Sequence, residues 1–62
     1  MSTKISGKIL RETDSAIQIH DYATEETIWF PLSQVEEIHR DGSSFGWILV
    51  TDWIAREKGY DV

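Results

Sequence analysis

The sequence predicts a small, mainly β domain: five short strands closing into an SH3-like or OB-like barrel, followed by a short C-terminal helix. Three observations carry that expectation. Apolar residues alternate with polar ones in short runs, turn-forming clusters separate the runs, and the last twelve residues change to a helical period. The 62 residues suffice for one domain, expected over 1–62, and for no second one. A chain this short buries only about 60% of the surface it exposes when unfolded, which holds its core stability to roughly 3–5 kcal/mol.

The elements follow in order. Ile5, Gly7, Ile9 and Arg11 alternate with Ser6, Lys8, Leu10 and Glu12, giving a first strand over about residues 4–11. Glu12-Thr13-Asp14-Ser15 is a turn, because short polar side chains there bond their own backbone. In the second strand Ile17 and Ile19 take one face, Gln18 and His20 the other. Ala23-Thr24-Glu25-Glu26 connects it to Thr27-Ile28-Trp29-Phe30, whose β-branched and aromatic side chains suit a half-buried pleated surface. Pro31 lacks an amide donor, so it ends that strand or places it at an edge. Leu32-Ser33-Gln34 reads as a tight bend with one turn of 3₁₀ helix. Val35 and Ile38 flank a short fourth strand that stops at Asp41-Gly42, a strong turn signal. Phe45 to Val50 is the clearest strand in the chain.

In the helix, Thr51 or Asp52 serves as the cap and Trp53-Ile54-Ala55-Arg56-Glu57-Lys58 forms the body. Gly59 fits the left-handed position just past its end, with Tyr60 folding back on Ile54 or Ala55. Too short to persist alone, this helix must dock, by Trp53 and Ile54. SH3-like is favoured over OB-like because the only convincing helix is the last element.

The boxes Trp29-Phe30-Pro31-Leu32-Ser33-Gln34-Val35 and Asp52-Trp53-Ile54-Ala55-Arg56-Glu57-Lys58-Gly59 resemble those of a family of short phage and prophage proteins. The resemblance covers residues 16–60. It departs from the family pattern at Leu32, where a Lys is usual, and at Thr51, where a Pro usually opens the helix. It implies a phage origin and a small β fold, with no settled activity to carry over. By analogy with other small acidic phage proteins, it suggests an anti-defence inhibitor of the anti-CRISPR type.

Charge layout is the most informative feature of the chain. Between Asp21 and Asp41 lie six carboxylates, Asp21, Glu25, Glu26, Glu36, Glu37 and Asp41, opposed by Arg40 alone; this window holds the whole net charge of −5. Gathered into one patch, with Trp29 or Trp47 as apolar anchor, they would steer a basic partner into contact. The expected partner is a nucleic-acid-binding basic surface of a larger host complex, occupied in place of phosphates. A solvated face that keeps the protein soluble explains the same acids. If the fourth strand is regular, adjacent Glu36 and Glu37 point to opposite faces, which dilutes the cluster. The alternative function is a small nucleic-acid-binding barrel stacking bases on exposed aromatics, or a phage accessory interaction module. Along the sequence no basic track is interleaved with the aromatics, so direct nucleic-acid binding is disfavoured.

Catalytic constellations are absent from the sequence, which points to binding rather than catalysis. Ser43 and Ser44 have no Gly-x-Ser-x-Gly elbow, and Gly42 and Gly46 no following Gly-Lys-Ser/Thr. Paired glutamates lack the cleft a sugar would need. With no Cys, and with His20 and His39 beside carboxylates that point away along a strand, neither a metal nor a cofactor is expected. The N-terminal residues resemble no secretory signal and no apolar run spans a bilayer, so a cytoplasmic protein without membrane contact is expected, within the host cell if phage-encoded. So thin a core is compatible with a homodimer.

Overall fold

The alternation read from the sequence becomes one antiparallel sheet. The computed structural model describes residues 1–42 and 44–61; Ser43, half of the Ser43-Ser44 pair, and Val62 lie outside that description. The strands are β1 (Ser2–Glu12), β2 (Ala16–Asp21), β3 (Glu26–Pro31), β4 (Val35–Arg40) and β5 (Phe45–Thr51). A 3₁₀ turn, Leu32–Gln34, joins β3 to β4, and α1 (Asp52–Glu57) ends the fold. The spatial order is β3-β2-β1-β5-β4, so the longest strand, β1, lies in the middle and pairs with β2 at one end and β5 at the other.

The expected barrel does not close. β3 and β4 are the two outer strands and are not hydrogen-bonded to each other. Pro31 ends β3 without an N–H to offer a neighbour. The 3₁₀ turn then crosses from one side of the sheet to the other: Leu32 donates its N–H to Ser15 O at 2.9 Å, and Gln34 Oε1 accepts from the Thr51 hydroxyl at 2.7 Å. Three residues reach about 10 Å at most. The two halves of the sheet are therefore drawn together at this corner and diverge away from it, leaving an open, folded-over sheet in place of a barrel.

Its inner face holds the core. Ile5, Ile9, Ile17, Ile19, Phe30, Ile48 and Val50 are buried there, with Ile28, Val35 and Ile38 packed around them. Gly7 and Gly46 sit side by side in the β1–β5 ladder and face inward too. A Cβ at Gly7 would lie 1.9 Å from His20 O, and one at Gly46 2.1 Å from His39 O. Adjacent strands approach so closely along this row that only glycine fits, and the row forms the crease over which the sheet bends.

One break in the alternation has a clear cause. Val35 pairs with Val50 and Ile38 with Ile48, both inward, although they are three residues apart. A bulge at Glu36 supplies the extra residue that restores both to the inner face. A regular strand would have turned one of them to solvent.

The helix docks differently from expectation. Ile54 and Ala55 are buried, whereas Trp53 is 57% exposed. Successive helical residues are about 100° apart, so a docking face centred between 54 and 55 turns 53 outward. The helix ends form as read. Thr51 Oγ1 accepts from Ile54 N at 3.3 Å, Gly59 has φ +97°, and Tyr60 N bonds Ala55 O at 2.9 Å while Gly59 N bonds Arg56 O at 3.1 Å. Those last two bonds make a Schellman motif. It delivers the Tyr60 ring to Phe30, with centroids 6.4 Å apart.

Candidate functional site: the outward face of the sheet

The register brings together residues that the sequence keeps apart. On the face away from the core β1 carries Lys4, Ser6, Lys8 and, past a bulge at Leu10, Arg11. Beside it β5 carries Phe45, Trp47 and Leu49, and β4 carries Glu37 and His39. On the other side β2 contributes Gln18 and His20, and β3 contributes Thr27 and Trp29. Tyr22, just past β2, lies 6.0 Å from Phe45, centroid to centroid. Four of the seven aromatic residues thus share the solvent side of one sheet with half of the six Lys and Arg side chains.

Trp47 is the organised centre of this face. His39 stacks on it with centroids 5.1 Å apart and planes within 10°, and Lys4 Nζ lies 5.0 Å from its ring centre. The ammonium faces the negative ring face, an arrangement that contributes about 0.5–1 kcal/mol at an exposed site. Trp47 is half-buried by these neighbours, so it is not the free anchor that the sequence suggested. Trp29 at 39% exposure, Phe45 at 49% and Tyr22 at 51% are the open rings.

The acidic window is not one patch. Asp21 is 3% exposed. Its Oδ1 accepts from Ala23 N at 2.8 Å and its Oδ2 from the Tyr60 hydroxyl, so it holds the β2–β3 turn to the end of the chain and offers nothing to a partner. Glu25, at φ 59°, and Glu26 lie at the β3 edge. Glu36 and Glu37 lie on β4, the opposite edge of the sheet, with three strands between. Asp41 is exposed at the turn after β4. The bulge exposes both Glu36 and Glu37, contrary to the opposed faces of a regular strand. Ser2 donates a hydrogen bond to Glu36, and Arg40 pairs with Glu12 rather than with any acid of the window.

An open pocket of about 490 Å³ lies beside the part of β1 that precedes Gly7, where β2 has ended; Lys4, Ser6, Tyr22 and Tyr60 line it. No residue pattern along the chain points to this cleft. Its one buried carboxylate is Asp21, whose two oxygens are both engaged, so the pocket holds no free acid–base pair. Burial, reinforced by the hydrogen bond to Asp21 and its charge, pushes the Tyr60 phenol well above its ordinary value. Among the described residues no three His, Asp or Glu side chains converge on a metal position, and no helix is long and apolar enough to cross a membrane. No family model, curated protein or solved structure matches the chain.

Proposed function

We propose that this chain is a non-enzymatic binding module that docks an anionic partner on the outward face of its sheet. The observation that carries the reading is charge segregation by face. At the strand positions of that face Lys4, Lys8 and Arg11 outnumber the two carboxylates that the β4 bulge exposes, Glu36 and Glu37, on a protein whose net charge is −5. Local excess of one sign in a field of the other steers an oppositely charged ligand to that place. Exposed rings beside the cations supply the contact area that charge alone lacks.

A second reading rests on the β4 bulge. With Glu36 and Glu37 both exposed on an outer strand, an inhibitor or adaptor of phage origin would present this edge to a basic surface of a host complex. Affinity capture from a host lysate with two double variants separates the readings. Loss of the captured species with Lys8→Glu/Phe45→Ser, and retention with Glu36→Lys/Glu37→Lys, is the result expected for face docking. The reverse pattern refutes it in favour of the acidic edge.

A further inference from the structure

We infer that the occupant of this face is a single-stranded nucleic acid, laid along β1 with its phosphates on Lys4, Lys8 and Arg11 and its bases against the flanking rings. The inference rests on the docking-face reading and names its ligand class. Lys4 and Lys8 are four residues apart on the central strand, about 13 Å along it, and Arg11 continues the row. Rings stand on both sides of that row: Phe45 on β5 toward one side, Tyr22 past the end of β2 and Trp29 on β3 toward the other, with Tyr22 and Phe45 meeting across β1. Between them Ser6, Gln18 and Thr27 supply uncharged hydrogen-bonding groups.

Two features favour nucleic acid over an acidic protein. A protein interface centres on a contiguous apolar core within a polar rim. Here the cations occupy the central strand and the rings flank it, so charge lies at the centre of the face and not at its rim; bases stack on such rings at about 1–3 kcal/mol each. The acids of the window also take a role. Glu36 and Glu37 border the face at the β4 edge, whereas Glu26, paired with buried Asp21, turns to the core side. The β4 carboxylates repel phosphates from that rim and favour a strand laid along β1. A duplex, whose bases are already stacked inside it, gains nothing from the rings.

The test is titration of the full chain with a thymidine oligonucleotide of about 12 nucleotides, followed by tryptophan fluorescence and probe anisotropy at about 20 mM salt. Matched titrations use duplex DNA and poly-L-glutamate. Binding of the single strand above both comparators is expected. Three neutralised phosphates give a log–log salt slope near −2, so raising salt tenfold weakens binding about 100-fold. Lys8→Gln should lower the slope by about 0.7. Phe45→Ala and Trp29→Ala should each weaken binding about fivefold or more; both side chains are exposed, so circular dichroism verifies that the fold persists. Equal or tighter binding of polyglutamate overturns the nucleic-acid inference and leaves the docking face standing. Tighter binding of the duplex overturns it as well. Absence of single-strand binding overturns it too; absence of binding by all three polyanions, combined with partner capture that survives Lys8→Glu/Phe45→Ser, overturns the docking face itself.

Discussion

Replacing Gly7 by alanine is expected to bring this protein to the brink of unfolding. The added Cβ would lie 1.9 Å from His20 O and 2.8 Å from His20 C, both backbone atoms of a paired strand that cannot rotate aside. An ordinary contact needs at least 3.4 Å, so β1 and β2 must part by more than 1 Å along the crease. Overpacking of that kind costs about 1–3 kcal/mol. Against the roughly 3–5 kcal/mol that a core of this size supplies, the loss runs from about a fifth of the stability to all of it. With a urea m-value of about 1 kcal/mol/M for so small a domain, the midpoint falls by about 1–3 M. Urea unfolding followed by tryptophan fluorescence and far-ultraviolet circular dichroism reads this directly. Ser6→Ala, whose side chain is exposed on the next residue, is the control and should shift stability by no more than about 0.5 kcal/mol. If Gly7→Ala unfolds at the same urea concentration as Ser6→Ala, the strands do not approach as described and the crease is wrong.

Two further outcomes test the helix and the end of the chain. Ile54→Ala should cost about 2–5 kcal/mol and Trp53→Ala less than about 1, because only the former vacates buried volume; equal losses in thermal melts would restore the docking face that the sequence suggested. Tyr60→Phe should cost about 1.5–3 kcal/mol at neutral pH by removing a donor from the buried Asp21 carboxylate. The folded phenol has a raised pKa, so the stability linked to it is complete below about pH 10 and declines as pH rises beyond that. Denaturant midpoints measured from about pH 8 upward should show this alkaline decline in the native protein and a shallower one in Tyr60→Phe; parallel declines would disprove the linkage.

Local chemistry made most of this fold legible in the sequence. Ile17 and Ile19 against Gln18 and His20, or Phe45, Trp47 and Leu49 against Ile48 and Val50, assign faces by period alone. Gly59 and Tyr60 specify the helix end through one backbone conformation and two hydrogen bonds. Long-range placement was not legible. Whether β3 and β4 meet depends on where the 3₁₀ turn is anchored, and its anchors, Ser15 and Thr51, are remote from it in the chain. The acidic residues look clustered because they are close in sequence, yet β3 and β4 are consecutive strands placed at opposite borders. The converse error hid the candidate site. Lys4, Lys8 and Arg11 precede Phe45 and Trp47 by more than thirty residues, and only the β1–β5 register interleaves them. A three-residue interval between Val35 and Ile38 was the available sign of the bulge, since period-two alternation cannot place both inward.

The position of β1 also constrains how the molecule assembles. It precedes β2 to β5 in the chain yet is the central strand of the finished sheet, and seven of its residues, Ser2 to Lys8, find their β5 partners between Phe45 and Thr51. A nascent chain can fold the β1–β2–β3 meander early, but half of its central strand stays without a neighbour until Thr51 has left the ribosome. Closing the loop between Lys8 and Phe45 costs chain entropy and slows this pairing. During that interval the β1 edge from Ser2 to Lys8 lacks its partner strand and is open to mispairing with other chains.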